Sequence, residues 1–135
     1  MENNHKPIIG IVSPCYNEEL VLPETSVQLN AIIADLVVRN IISEKSFAVF
    51  VDDGSKDKTW TIIEEKAAQL THIKGLKLAG NVGHQKALLA GLLTFKDEAD
   101  ALISIDADLQ DDVRVIEEMI IKYKSGIDVV YGVRK

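Results

Sequence analysis

The chain is poor in the residues that staple a fold, interrupt it or carry it through a membrane. Cys15 is its one cysteine, which excludes an intramolecular disulfide and a thiolate metal cluster and fits a reducing compartment. With 3 prolines and 8 glycines among 135 residues, no linker, repeat or low-complexity segment divides it. No apolar stretch reaches the ~18–20 residues that a spanning helix needs. Basic charge is short as well: 15 Lys and Arg face 21 Asp and Glu, a net charge of −6. That balance disfavours nucleic acid and anionic membrane surfaces as partners, since both select a basic face. The polar start from Met1 to Pro7 has no signal-peptide pattern. The expectation is one soluble, cytoplasmic domain spanning residues 1–135.

What is present is a regular alternation. Hydrophobic residues make up 47% of the chain, enough for a single core. Ile8–Val12, Phe47–Val51, Leu76–Leu78, Ala101–Ile105 and Ile127–Tyr131 read as five strands. Between them, Leu29, Ile32, Ile33, Leu36 and Val37 recur at helical spacing after Pro23. Trp60, Ile63, Ala67 and Leu70 form a second helical face, with Asp57 as its capping residue. Further helices are expected from about His84 to Phe95 and from Asp112 to Tyr123. Strands alternating with helices predict an α/β fold with a doubly wound, mostly parallel sheet.

In such a sheet, ligands bind beyond the carboxyl ends of the strands, where the strand order reverses. The unusual polar segments all follow strands: Ser13-Pro-Cys-Tyr-Asn-Glu-Glu19, Asp52-Asp-Gly-Ser55, Gly80-Asn-Val-Gly-His84 and Asp106-Ala-Asp-Leu-Gln110. All four are therefore expected on one rim. Each also has a plainer reading. Asp52 to Ser55 suit a turn that leads into a helix, and Tyr16 suits a half-buried core position. As site residues, Asp52 or Asp53 would accept hydrogen bonds from a base or ribose. Tyr16 would offer a flat face and Glu18 an acceptor for a ribose hydroxyl. Gly83 and His84 open a helix whose free N–H groups attract anions. Lys86 lies in that first turn, where the helix dipole disfavours it unless an anion is near.

Asp106-Ala-Asp108 is the most informative of these segments. Two carboxylates about 5 Å apart repel by roughly 3 kcal/mol at an effective dielectric of ~20. A hard divalent cation such as Mg²⁺ or Mn²⁺ would relieve that repulsion and can also take oxygens from a substrate's phosphates.

Taken together, Pro14-Cys-Tyr-Asn-Glu-Glu19, Val51-Asp-Asp-Gly-Ser55, Asn81-Val-Gly-His-Gln-Lys-Ala87, Asp106-Ala-Asp-Leu-Gln110 and Gly132-Val-Arg134 resemble the family 2 glycosyltransferases. The likeness is greatest to the branch that loads sugars onto polyprenyl or dolichyl phosphates. The resemblance implies a GT-A nucleotide-binding fold, a UDP- or GDP-linked sugar donor, a Mg²⁺ or Mn²⁺ cofactor and a lipid-phosphate or glycan acceptor. It implies that Pro14, Tyr16, Glu18, Asp52, Asp53, Gly83, Lys86 and Asp106 bind the nucleotide-sugar. Asp106, Asp108 and Gln110 would hold the metal, Asp106 and Asp108 being catalytic, and Arg134 would meet the acceptor phosphate. Asp112 stands where the family usually has Pro, and either residue suits a helix start. The chain ends at Lys135, where family members continue into an acceptor region. The expectation is therefore the donor-binding part of a longer inverting transferase, with membrane association only through a missing C-terminal part at the cytoplasmic face.

Two other classes compete. A receiver-like signalling domain also clusters aspartates on a doubly wound sheet, but its acid pair follows the first strand and its phospho-acceptor the third. A nucleotide-binding module without catalysis is the other. A phosphatase would want Asp-x-Asp after the first strand, and a dinucleotide-binding oxidoreductase G-x-G-x-x-G.

Overall fold

The computed structural model describes residues 6–108 and 114–126. Four strands alternate with four helices there: β1 (Ile9–Cys15), α1 (Leu22–Val38), β2 (Phe47–Asp52), α2 (Thr59–Gln69), β3 (Ile73–Lys77), α3 (His84–Phe95), β4 (Ala101–Ser104) and α4 (Arg114–Lys124). The strands form one parallel sheet in the order β3-β2-β1-β4. The expected strand at Ile127–Tyr131 and the expected helix start at Asp112 lie outside the described residues.

Side chains alternate across the sheet, so each strand feeds two cores. Ile9 and Ile11 of β1 and Ala48 and Phe50 of β2 pack with Leu29 and Ile33 of α1, Ile63 of α2 and Ile120 of α4. Val12, Phe47, Val49 and Val51 face the other way, onto Ala87 and Phe95 of α3. This two-sided burial is why the strands read as near-continuous apolar runs.

The strand order decides between the folds weighed from sequence. β1 has β2 on one side and β4 on the other, as in the 3-2-1-4 order of nucleotide-binding sheets. In the receiver arrangement, β3 would be the second neighbour of β1. The chain runs from β1 outward to β3, then returns across the sheet to β4. The switch point therefore lies between β1 and β4.

Several boundaries differ from the sequence reading, and β1 itself runs on to Cys15, taking in Ser13–Cys15 that the sequence placed after it. Pro23 sits inside the first turn of α1, which starts at Leu22; a missing N–H costs nothing there because the first N–H groups have no helical partner. β3 begins at Ile73, ahead of the Leu76–Leu78 pattern. Lys58, not Asp57, holds the N-cap position of α2. Asp57 still serves the helix start, because its Oδ1 accepts the N–H of Thr59 at 2.9 Å and its hydroxyl at 2.5 Å.

Candidate functional site

The cleft at the switch point begins with Pro14. The carbonyl of Val12 accepts the N–H of Ile105 on the β4 side, at 3.1 Å, and that of Cys15 accepts Asp53 on the β2 side, at 2.8 Å. Backbone groups alternate sides along a parallel strand, so Pro14 turns toward β4 with no N–H to give. The β1–β4 register accordingly stops at Val12 and Ser104, while β1 and β2 stay paired to Cys15 and Asp52. A proline in a central strand is tolerated where the ladder ends. Beyond it the two segments part.

The loop after β1 is fastened to the loop after β2. Asn17 donates its N–H to Ser55 Oγ at 2.8 Å and accepts Lys56 N–H at 2.9 Å. Glu18 donates its N–H to Thr59 Oγ1 at 2.8 Å, and Glu19 Oε1 accepts Lys58 N–H at 2.9 Å. Asn17 sits at φ 54, in the left-handed region, which asparagine tolerates better than most residues. Asp52 is buried, and its Oδ1 accepts Ser55 N–H at 3.3 Å to close the turn. Asp53, also buried, accepts Val82 N–H at 2.7 Å and Gly83 N–H at 3.1 Å.

A third tie orients the two carboxylates after β4. Thr25 Oγ1 in α1 donates to the carbonyl of Ala107 at 2.7 Å, and Ala107 is itself buried. With its middle residue packed inward, the Asp106-Ala-Asp108 segment leaves Asp106 partly exposed and Asp108 exposed. His84 Nε2 lies 3.8 Å from Asp106 Oδ1. Burial, and then the charges of Asp108 and Asp106, push the Glu18 carboxyl above its ordinary value, a smaller pull from His84 opposing them. Glu18 thus feels both acids although 88 residues separate it from Asp106 in the chain. Burial, with Glu18 and Asp52 adding to it, also raises the Cys15 thiol, so Cys15 is an inert packing residue.

Pro14, Cys15, Tyr16, Asp53, Asn81, Gly83 and His84 line a cleft of about 170 Å³ on this rim. Of the residues singled out from sequence, Pro14, Tyr16, Asp53 and Gly83 meet there, and Glu18, Asp106 and Asp108 gather beside it. Asp52 stands behind the cleft in its turn-closing role, and Lys86 is exposed on the first turn of α3. Gln110 and Arg134 lie outside the described residues. Sequence reasoning missed Asn81 as a cleft residue and Thr25 as the anchor of Ala107. The helical spacing of Thr25 with Leu22, Leu29 and Ile32 was the available signal for it. Among the described residues, no three His, Cys, Asp or Glu side chains are grouped to hold a metal by themselves. A larger cavity of about 430 Å³ opens around Lys6, Ile8, Asn40 and Lys45. It sits at the amino ends of the strands, away from every one of these groups, and parallel sheets bind ligands at the other end.

Comparisons with known proteins bear on the family and the fold. The sequence model described as Glycosyl transferase family 2 matches residues 10–135. The uncharacterized glycosyltransferase YkoT of Bacillus subtilis is 53% identical over 96% of the chain. A prophage bactoprenol glucosyl transferase homolog of Escherichia coli is 38% identical over 93% of it. The chain spans 39% of the length of each of these relatives. The mannosyltransferase PcManGT of Pyrobaculum calidifontis, solved in complex with GDP-Man and Mn²⁺, superposes with a TM-score of 0.61 at 22% identity. That match covers 77% of this chain and 28% of the mannosyltransferase, and likeness at such identity is a likeness of fold, here the GT-A fold. Among the described residues no helix is long and apolar enough to cross a membrane. By its sequence over nearly its whole length, the chain belongs to glycosyl transferase family 2.

Proposed function

We propose that the chain is the donor-binding part of an inverting, metal-dependent hexosyltransferase that moves a sugar from a UDP- or GDP-linked donor to a polyprenyl phosphate. The observation that carries this is the meeting of Glu18, Asp106 and Asp108 beside the switch-point cleft of Pro14, Tyr16 and Gly83. Carboxylates gathered at one point repel a diphosphate and attract a hard cation. The described acids form no three-ligand metal cluster by themselves, but an all-oxygen set completed by Gln110 and the donor's phosphates would suit Mg²⁺ or Mn²⁺. Asp106, Asp108 and Gln110 are the residues we assign to it. When bound, such a cation would neutralise charge on the departing nucleoside diphosphate.

The remaining work falls to the chain. Tyr16, 41% exposed at the rim, offers its ring to the base, and Glu18 accepts a ribose hydroxyl. The first N–H groups of α3, beside Gly83 and Lys86, face the diphosphate. A phosphate acceptor is already ionised, so its oxygen can attack the anomeric carbon from the face opposite the leaving group without a protein base. A hydroxyl of a glycan acceptor would need a base. Arg134 is assigned to the acceptor phosphate. Support for the donor and metal comes from the mannosyltransferase with GDP-Man and Mn²⁺, and for the acceptor from the bactoprenol-directed relative. A cytoplasmic location goes with this reading.

The test is calorimetric titration of the 135-residue chain with UDP and with GDP, each with and without Mn²⁺. Metal-dependent binding of one nucleotide is expected and names the donor class. Binding of neither by a chain with a folded spectrum would overturn the proposal.

A further inference from the structure

The first turn of α3 carries two basic side chains, and they stand differently toward the cleft. His84 lines it with Tyr16, Asn81 and Gly83, whereas Lys86 is exposed and outside that lining. The backbone explains the aim of His84. Gly83 holds the N-cap position of α3 at φ +100, with no side-chain cap. A Cβ built on Gly83 would meet nothing within 4 Å, so glycine is there for its backbone angle and not for space. His84 follows as the first helical residue, and Cα–Cβ bonds tilt toward the N-terminus of a helix. Its ring therefore leans past the helix end, over the rim.

There it stands between two parts of the site. Tyr16 and Asn81 of the cleft wall are on one side. On the other, His84 Nε2 lies 3.8 Å from Asp106 Oδ1, beyond hydrogen-bond reach, so the ring is not tied to that oxygen. His84 is also the group whose charge opposes the acids at Glu18. A donor with its nucleoside in the cleft and its diphosphate on a cation at Asp106 must pass its phosphates beside this ring. A neutral imidazole carries one N–H and can give it to an anionic oxygen without itself becoming charged. Such a bond is charge-assisted, about twice as strong as one between neutral groups.

We propose that the His84 side chain is a donor-binding group whose Nε2–H holds an oxygen of the nucleotide's diphosphate. The inference deepens the donor-site reading and rests on it. The competing role for His84 is to steady Asp106 as a metal ligand, and removing the metal separates the two.

The experiment titrates the 135-residue chain, its His84→Ala variant and its His84→Gln variant. Amide NMR shifts follow the binding, so that weak ligands register and the fold of each variant is read in the same samples. The ligands are uridine and UDP, or guanosine and GDP, whichever nucleotide the wild type binds, each with Mg²⁺ and with EDTA. His84→Ala is expected to weaken the diphosphate about tenfold or more in both conditions, the loss of one hydrogen bond to a charged group. Nucleoside affinity should not change, because that ligand lacks the oxygen concerned. His84→Gln keeps an N–H near the place of Nε2 and should recover most of the loss.

Equal losses for nucleoside and diphosphate would overturn the inference, His84 then shaping the base end of the cleft. A loss confined to Mg²⁺ would overturn it in favour of a hold on Asp106. A Gln variant as weak as the Ala variant would overturn it as well, since a donated hydrogen is what Gln keeps. Diphosphate binding by the wild type that His84→Ala leaves untouched sinks the inference alone. Binding of neither UDP nor GDP by the wild type sinks the donor-site reading, and the inference with it.

Discussion

Glu18 shows how one residue carries the electrostatics of the site. Its carboxyl is held above the ordinary value by burial and by Asp108 and Asp106. Over the pH range between the ordinary and the raised value, the folded chain keeps a proton that the unfolded chain has lost. Stability contributed by that proton falls as pH rises through this range, and the ionised Glu18 of neutral solution opposes folding. Glu18→Gln removes the conflict without changing shape. It is expected to raise the melting temperature near pH 7 in metal-free buffer, and to change it little near pH 4, where the wild-type carboxyl is protonated in both states. Scanning calorimetry of both proteins at the two pH values reads this directly. An equal gain at both would mean that ionised Glu18, disfavoured by burial and then by Asp108 and Asp106, is not the cause. The side chains that met from distant parts of the chain were legible here because every described strand is parallel, so the polar segments after these strands land on one rim. The loop amides that Asp53 accepts were not legible. They are the backbone N–H groups of Val82 and Gly83, 29 and 30 residues on, and residue spacing says nothing about backbone partners across loops.

Elements were legible wherever one chain segment buries itself by its own apolar pattern, and illegible where its neighbours supply the burial. α3 falls at His84–Phe95 as its periodicity indicates. β3 instead starts at Ile73 and runs through Lys74 and Gly75, which break the apolar pattern for good reasons. The Lys74 stem lies along the second core, its ammonium 4.5 Å from the centre of the Phe47 ring and 3.1 Å from Glu98. Gly75 leaves the space that Ile63 and Trp60 fill. The same logic explains Gly91 inside α3, a position where Ala favours a helix by about 1 kcal/mol. A Cβ there would come within 2.6 Å of Val12 Cγ1 and 2.7 Å of Val51 Cγ2, two stiff β-branched side chains on adjacent strands. The bare glycine lets α3 lie close against β1 and β2. Gly91→Ala is therefore expected to destabilise the chain by roughly 1–3 kcal/mol, the usual cost of an overpacked core, despite its better helix propensity. Urea denaturation measures it, and a stabilised variant would mean that α3 can retreat from the sheet freely.

For the molecule as a whole, fold and chemistry meet at the place where strand order reverses. β4 returns across the sheet to lie beside β1, Pro14 stops their pairing, and the acids of two distant loops face one gap. A site of this kind gathers negative charge on Glu18, Asp106 and Asp108, and Thr25 of α1 holds the segment between the last two in place. Ligands that bind only this arrangement must then stabilise the entire fold. A nucleotide present at 100 times its dissociation constant adds about 2.7 kcal/mol, which for a domain of this size shifts melting by roughly 8–11 °C. Because the cation relieves the repulsion that the diphosphate would otherwise meet, Mn²⁺ and nucleotide together should raise the melting temperature by more than the sum of their separate shifts. Asp108→Asn removes one of the acids that make the two interdependent. In that variant the joint shift should fall back to the sum, while the smaller shift from nucleotide alone persists. Differential scanning fluorimetry across the four ligand conditions reads both proteins in one experiment. Merely additive shifts in the wild-type chain, or a full joint shift in the variant, would separate the acidic rim from nucleotide binding and leave Asp108 without the metal role assigned to it.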